Sequence, residues 1–528
     1  MNDFFRDRQG NAHLLVGLQS HNSSTGSEMI GRSIQAIRHC GGNLLEAPIY
    51  WNQIEPEEGV YDVSLLKDLI DQCREANLFL IPLWFATSKN GHPNYCPDYI
   101  KLNPQTYQLA IGPNGAPVPS LSPHCEATFT RDRLALTEVM RFLRDYDSKQ
   151  GTVIALQLEN EMGLSHTDRD YSAIACEDYA RPVPAELDDV RLEDCGWQGD
   201  RDTWRGRFGR HAHEAFCAWH HARYIGRLAE AAKSVVDLPM ITNVMIGEQN
   251  LEEAGLNYNG GGAVGRVLDI WKAGAPELDL ICPDIYNTAR SEYLRIARRY
   301  ARPDNALFIP ESPPAGDANA MNAILAVGQY GATGICCFGA ESMLNNDNSL
   351  HDDSRSMMLT LKTIRHLEPL LIKYRDTGRI HAFAQEEFAL SQYLRLDGYH
   401  VQAHFFRDNP RHFAYGSRIN LRSRENSRLK EDRGRGLLIQ TGAHEFYLAG
   451  AGMALELTRR PDPQDMNPYP HLTSRQATQL NFLSVEEGHF EQGDWVIDYI
   501  RNGDESNFAH YVHEGQVIRI RLNPQTGM

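Results

Sequence analysis

Two glutamates stand at the ends of short apolar runs of the kind that form buried parallel strands. Glu161 ends the run 152–161, directly after Asn160, and Glu311 lies in the run 307–312. A carboxylate at the mouth of a buried strand is costly unless it is paired or used, because burial disfavours its charged form and raises its pKa. A salt bridge would explain one such residue. Two of them, one next to an asparagine, suggest a pair that does acid–base or nucleophilic chemistry together.

Retaining glycoside hydrolysis is a reaction that needs two such carboxylates. One carboxylate attacks the anomeric carbon, and the other protonates the leaving oxygen. A separation of about 5–5.5 Å permits direct attack, whereas inverting enzymes need about 6.5–9.5 Å to fit a water molecule. If the two runs are the fourth and seventh strands of an eight-stranded barrel, Glu161 and Glu311 face each other across its mouth. We therefore expect a pair with the shorter gap.

The elements that would position this pair alternate regularly over the first 374 residues. Apolar runs are separated by amphipathic helical stretches, which is typical of parallel strands buried on both faces. No GxGxxG follows the first run, which favours an α/β fold of the (β/α)8 TIM-barrel type over a doubly wound sheet. Long insertions at 88–130 and 163–210 are expected to be functional loops. The eight runs are 13–20, 43–51, 79–87, 152–161, 239–244, 278–286, 307–312 and 334–339.

The pattern changes after residue 374. Helical periodicity stops, and stretches of alternating polar and apolar residues follow at 399–407, 436–459, 494–501 and 516–522. Such alternation indicates antiparallel strands with one buried face. The sequence therefore predicts a catalytic barrel over 1–374 and a C-terminal antiparallel β-sandwich domain over 375–528.

The bulk composition limits the partners and the compartment. A formal net charge of −17 without a basic run argues against nucleic acid or an anionic membrane as partner and favours a neutral substrate. The first eight residues contain no cationic segment followed by an apolar run, and no apolar stretch approaches membrane-spanning length, so we expect a cytoplasmic protein. The ten cysteines form no CxxC pairs, which argues against structural zinc and a disulfide framework.

The chain also resembles a known enzyme group. The Asn160-Glu161 pair, Glu311 and the block 47–59 (APIYWNQIEPEEG) are similar to glycoside hydrolase clan A. Within that clan they resemble the family 35 β-galactosidases, in particular a bacterial branch with a β-sandwich after the barrel. The resemblance implies that Glu161 is the acid/base, that Glu311 is the nucleophile and that Asn160 binds the sugar 2-hydroxyl, without a cofactor or metal. Tyr286, after the sixth strand, would hydrogen-bond the nucleophile. The implied activity is exo-acting hydrolysis of a terminal β-linked pyranose from an oligosaccharide or glycoside.

A pocket that binds a pyranoside also needs aromatic side chains in its walls and a few polar groups that hydrogen-bond the sugar hydroxyls. One departure from the family leaves the sugar open: where better-known members have Cys-Ala-Glu after the third strand, this chain has Thr-Ser-Lys-Asn at 87–90. A β-glucosidase or a transglycosylase on the same site stays an alternative. Glu159 is interpreted as structural. The candidate substrate-binding residues at predicted strand ends are His21, Asn22, Trp51, Trp84, Lys89, Asn90, Asn243 and Phe338.

Two further function classes fit the fold less well. A metal-dependent hydrolase would need a His-x-His on the first strand, which here offers only His21. A non-catalytic carbohydrate-binding protein would not need both Glu161 and Glu311. Acidic exo-glycosidases with large insertions often assemble, which suggests a homo-oligomer.

Overall fold

Eight parallel strands form a barrel, and each of them overlaps one of the predicted apolar runs. The computed structural model describes residues 4–24, 26–247, 253–407, 433–459, 480–503, 506, 509–512 and 515–524. The predicted (β/α)8 barrel is confirmed. Its strands are β1 (Leu15–Gln19), β2 (Leu44–Tyr50), β3 (Phe79–Lys89), β6 (Leu156–Asn160), β7 (Met240–Met245), β8 (Leu280–Asp284), β9 (Phe308–Ile309) and β10 (Gly334–Phe338), and β4 (Leu109–Ile111) pairs with β5 (Pro117–Leu121) in the first insertion.

The side chain of Asn305 joins β8 and β9, the two neighbouring barrel strands that are not paired by a regular set of backbone hydrogen bonds. The strands neighbour each other in the order β8-β7-β6-β3-β2-β1-β10-β9, which leaves β8 and β9 to be joined. Asn305, just before β9, accepts a hydrogen bond from the Ile281 N–H at 2.9 Å and donates one to the Ile281 carbonyl at 3.0 Å. Further along, the Ile285 N–H donates to the Glu311 carbonyl at 3.0 Å. The main chain of a candidate catalytic residue is thus part of the contact between β8 and β9.

Replacing Asn305 with leucine is expected to destabilise the barrel. Asn305 is buried, so its loss leaves the Ile281 N–H and carbonyl without partners. Each unsatisfied group costs about 1–3 kcal/mol, which predicts a fall of about 2–6 kcal/mol in the free energy of unfolding. Urea denaturation of Asn305→Leu and of Asn346→Leu, an exposed turn position of the same domain, would measure it. Equal stability of the two variants would contradict this role of Asn305.

Helices cover the outside of the barrel. One of them, α10 (Arg290–Tyr300), buries Tyr293, Ile296, Ala297 and Tyr300 and carries arginines around this narrow stripe. No helix in the described part of the chain combines the length and apolar character that a membrane crossing needs. The long helices are α1 (Ser27–Cys40), α3 (Ser64–Glu75), α5 (Glu126–Tyr146), α8 (Ala212–Lys233), α10 (Arg290–Tyr300), α11 (Asp317–Tyr330) and α12 (Arg355–His366); the short ones are α2 (Trp51–Ile54), α4 (Asp98–Lys101), α6 (Ala173–Tyr179), α7 (Trp204–Phe208), α9 (Leu268–Gly274) and α13 (Glu368–Tyr374).

Two antiparallel sheets follow the barrel, as the alternating pattern predicts. One has the strand order β11-β14-β15-β20-β17-β18 and the other β12-β13-β16-β19. Their facing sides share an apolar core that includes Phe383, Val401, Phe446 and Leu455. The limits proposed for the two domains stay a prediction. The strands are β11 (Ile380–Ala384), β12 (Ser391–Arg395), β13 (Tyr399–Phe405), β14 (Arg435–Gly442), β15 (Glu445–Ala451), β16 (Met453–Arg459), β17 (Phe482–Glu491), β18 (Asp494–Arg501), β19 (His510–Tyr511) and β20 (Val517–Leu522).

The six-stranded sheet packs against the helices that follow the last barrel strands. A Cβ at Gly328 of α11 would lie 2.6 Å from the Cβ of Ala382 on β11, so the two backbones approach closely. Arg435 of β14 is buried and donates to the Thr360 hydroxyl at 2.6 Å and to the Ser356 carbonyl at 2.8 Å, both on α12. The sheet and the barrel are therefore joined by apolar packing and by buried hydrogen bonds.

Candidate active site

A cavity of about 410 Å³ opens where the barrel strands end. In parallel barrels this end carries the active site, because the loops that follow the strands meet there. Three carboxyl groups and one lysine contribute to its walls, so it is a polar cavity with a few aromatic side chains. The lining residues used below are Asn22, Lys89, Asn90, Glu161, Asp284, Tyr286, Glu311 and Phe338.

The two predicted glutamates meet in this cavity. Glu161 follows β6 and Glu311 follows β9, and both side chains are buried. One carboxyl oxygen of Glu161 lies within 4.8 Å of one carboxyl oxygen of Glu311. One carboxyl oxygen of Asp284 lies within 4.8 Å of both of these atoms. The gap is close to the about 5–5.5 Å of retaining glycosidases and short of the about 6.5–9.5 Å of inverting ones. The arrangement can therefore support direct attack by one carboxylate.

Two short hydrogen bonds and a longer one, from Asn243 Nδ2 at 3.4 Å, hold the carboxylate of Glu311. The Tyr286 hydroxyl donates to its Oε2 at 2.7 Å, which is the contact predicted for Tyr286, and Gln19 Nε2 donates to its Oε1 at 2.9 Å. Hydrogen bonds to both oxygens of a carboxylate fix its direction. Gln19 was missed by the sequence prediction, although its place at the end of β1, two residues after Gly17 and four after the inward-facing Leu15, indicates an inward side chain.

Glu161 occupies a constrained position. Its φ of +48° lies in the left-handed region, which is strained for a residue with a side chain and is often found at functional sites. Its N–H donates to Asn243 Oδ1 at 2.9 Å, and its carbonyl accepts from Asn259 Nδ2 at 2.7 Å. Burial and the charge of Glu311 raise the pKa of Glu161 to about 7, and the charge of Lys89 opposes the rise. A carboxyl group that titrates near neutral pH suits a general acid/base.

Three asparagines link the strands beneath the cavity. Asn243, on β7, donates to Asn160 Oδ1 at 3.2 Å and to Asp284 Oδ2 at 2.8 Å. Asn160 in turn donates to Asn90 Oδ1 at 3.1 Å. Asn160 and Asn243 are both buried, so the structure places them as a shared support for the carboxyl groups. Contact between Asn160 and a sugar 2-hydroxyl stays a prediction.

Of the other predicted binding residues, four lie in the cavity wall and His21 lies behind it. Asn22, Lys89, Asn90 and Phe338 line the cavity. His21 stands behind the wall: its ring meets the Phe338 ring edge-on with centroids 5.2 Å apart, and its Nε2 lies 2.6 Å from the Ser342 hydroxyl. These positions agree with substrate contact for the first four residues, and such contact remains a prediction.

The prediction that Trp51 and Trp84 bind substrate is wrong. Both are fully buried among the helices outside the barrel. Trp84 Nε1 donates to Asp132 Oδ1 of α5 at 2.8 Å, and Trp51 Nε1 donates to Glu55 Oε2 at 2.8 Å. The reason is the two-residue period of a strand: Leu83 and Phe85 face the barrel interior, so Trp84 between them must face outward.

Glu159 has the structural role that was predicted for it. Its carboxylate accepts the Thr87 hydroxyl at 2.6 Å and the Ser88 N–H at 2.8 Å, where the pairing between β3 and β6 shifts register. Its own φ of +57° turns this side chain away from that of Glu161. Glu159 thereby fixes the end of β3, which carries Lys89 and leads into Asn90.

Glu46 is a further carboxyl group in the interior. It lies on β2, is fully buried, and neither of its carboxyl oxygens has a hydrogen-bond partner among the described residues. Burial and the charge of Glu311 raise its pKa well above the ordinary value. The surroundings of Glu46 therefore favour its neutral form.

Within the described residues, two groups bring three potential metal ligands within 4.8 Å of one another. One is Glu161, Asp284 and Glu311. The other is His124, Asp178 and His220, outside the cavity, where His124 Nδ1 contacts Asp178 Oδ2 at 3.0 Å and the rings of His124 and His220 lie 4.1 Å apart with their planes tilted by 38°. In this second group a hydrogen bond joins the two insertions, and a ring contact joins them to α8.

Comparison with known families supports glycoside hydrolase chemistry. Residues 23–204 match the model of glycoside hydrolase family 42, described as β-galactosidase. The barrel is similar to those of clan A glycoside hydrolases. The assignment to family 35 is not supported, because the matching model is that of family 42. Residues 359–512 match a family described as a domain of unknown function, and no curated protein matches the chain.

Solved structures share the fold at low identity. The β-galactosidase from Bacillus circulans sp. alkalophilus is 14% identical with a TM-score of 0.50, and the match covers 70% of this chain and 58% of that one. The β-galactosidase from the psychrophilic Marinomonas ef1 is 14% identical with a TM-score of 0.48, over 67% and 60% of the two chains. The chain thus spans less than two thirds of the length of these structures, and the likeness concerns the fold.

Proposed function

We propose that the protein is a retaining, exo-acting β-glycosidase of β-galactosidase type. The observation that carries the proposal is the approach of Glu161 and Glu311 to within 4.8 Å at the mouth of the barrel. The match of residues 23–204 to a β-galactosidase family supports it independently. The substrate would be a glycoside or oligosaccharide with a terminal β-linked pyranose.

The geometry suits a double displacement with these roles. Glu311, oriented by hydrogen bonds from Tyr286 and Gln19, forms a bond to the anomeric carbon while the glycosidic bond breaks and the proton of Glu161 moves to the leaving oxygen. Water then attacks the anomeric carbon, its proton passes to Glu161, and the ester bond to Glu311 breaks. A sugar hydroxyl in place of water would give transglycosylation on the same site.

The wall that follows β3 bears on which sugar is accepted. Lys89 and Asn90 line the cavity there and can donate hydrogen bonds to sugar hydroxyls. A β-glucosidase stays the second candidate, since galactose and glucose differ in the direction of one hydroxyl. A cytoplasmic location and a homo-oligomer stay predictions.

Hydrolysis of a panel of aryl β- and α-glycopyranosides tests the proposal. We expect turnover of a β-galactoside or β-glucoside, and none of the α-anomers. Proton NMR of the first product should show the β-hemiacetal, because two inversions restore the configuration. A first product with the α-configuration would contradict a nucleophilic role for Glu311, and absence of turnover across the panel would contradict the proposed function.

A further inference from the structure

A third carboxyl group, Asp284, adjoins both glutamates and has no part in a two-carboxylate mechanism. It ends β8, is buried, and has one oxygen within 4.8 Å of an oxygen of Glu161 and of Glu311. Its Oδ2 accepts a hydrogen bond from Asn243 Nδ2 at 2.8 Å. Its Oδ1 is buried without a hydrogen-bond partner among the described residues. An ionised carboxylate with one bare, buried oxygen would be costly.

The charges around Asp284 also oppose its ionisation. Glu311 faces it from the end of β9, Glu161 from the end of β6 and Lys89 from the end of β3, and Tyr286 follows on its own strand. Cys282 and Glu46 lie deeper in the barrel. One lysine cannot balance three carboxylates at this spacing. Burial and the charges of Glu311 and Glu161 accordingly raise the pKa of Asp284 well above its ordinary value.

We propose that Asp284 stays protonated throughout the catalytic cycle and donates its hydrogen bond to Glu161 whenever Glu161 is ionised. Asn243 fixes Oδ2 as the acceptor, which leaves Oδ1 to carry the hydrogen. The bond would stabilise Glu161 in the second step, when it must act as a base. Asp284 would then be a positioning residue that acts through Glu161, and this inference rests on the proposed function.

Two substitutions separate this role from an ionised Asp284. Asparagine keeps a neutral donor of the same shape, so the basic limb of the kcat/KM profile in Asp284→Asn should stay within about 0.3 pH unit of wild type. Leucine removes the donor, the ionised form of Glu161 loses a stabilising bond, and the limb should rise by about one pH unit. If Asp284 is ionised in the wild type, Asp284→Asn removes a negative charge and the limb falls by about one unit instead, which would refute the proposal.

An infrared measurement decides the protonation state without reference to activity. The carbonyl band of a protonated carboxylic acid should appear in the wild-type minus Asp284→Asn difference spectrum at neutral pH. It should be missing when the exposed Asp353→Asn is used in place of Asp284→Asn. A protein that cleaves glycosides but lacks the band would refute the inference and leave the proposed function intact. Presence of the band without any glycoside cleavage would refute the proposed function.

Discussion

In the Glu311→Gln variant, kcat for an aryl β-glycoside is expected to fall about ten-thousand-fold or more. A glutamine amide cannot attack the anomeric carbon. In the wild type, Tyr286 and Gln19 each donate a hydrogen bond to one carboxylate oxygen of Glu311, at 2.7 and 2.9 Å. The glutamine amide has only one oxygen that can accept, so one of these two donors loses its partner. Steady-state kinetics of the wild type and Glu311→Gln would measure the loss, with Glu75→Gln, at an exposed position of α3, as the control variant. Turnover within tenfold of wild type would exclude Glu311 as nucleophile.

The same variant should also change the titration of Glu161. Because the charge of Glu311 is one of the causes that raise the pKa of Glu161 to about 7, its removal should lower that pKa. The protonated form of Glu161 would then be lost at a lower pH than in the wild type. Carbon-13 NMR of the glutamate carboxyls in both proteins would detect the shift. An unchanged pKa would mean that the two carboxyl groups are farther apart in solution.

The Glu161→Ala variant is expected to lose about 100- to 10,000-fold in kcat on glycosides with poor leaving groups. It should lose much less on an activated aryl glycoside, whose leaving oxygen needs no proton. Its second step then lacks a base, so azide, which needs none, should restore turnover and yield a β-glycosyl azide. Rates and product NMR with and without azide would measure both effects.

Glu311→Ala provides the matched control for this rescue. Azide there would fill the space of the nucleophile and attack the sugar directly, so any product should be the α-azide. A β-azide from Glu311→Ala, or an α-azide from Glu161→Ala, would show that the two roles are reversed. No effect of azide on Glu161→Ala would contradict the acid/base role.

Much of the barrel could be predicted from sequence because its strands are buried on both faces and read as continuous apolar runs. That same property conceals which face each residue takes. Trp84 looked like a sugar platform, yet Leu83 and Phe85 already occupy the inward positions beside it. The two-residue period places Trp84 on the opposite face of β3 from Leu83 and Phe85, and along β1 it places Gln19, which the prediction missed, on the same face as Leu15.

Asp284 was missed for a different reason. It stands two residues before Tyr286 in a run where a single aspartate is equally typical of a strand that ends in solvent. Its importance depends on Glu161 and Glu311, which lie 123 and 27 positions away in the chain and come near it only when the barrel closes. The number of residues between two positions in the chain does not give the distance between them in the folded barrel. The prediction of the glutamate pair succeeded because strand order alone, without atomic detail, places two residues across a barrel.

The packing of the six-stranded sheet on α11 and α12 has a consequence for anyone who would isolate the catalytic unit. Leu437, Ile439, Tyr447 and Val517 of the sheet belong to the same apolar cluster as the barrel helices. A fragment cut after α13 would expose that surface to water beside the strands that lead to Glu311 and Phe338. The β-sandwich domain therefore forms part of the apolar core that stabilises the barrel. A truncated protein will have to keep it.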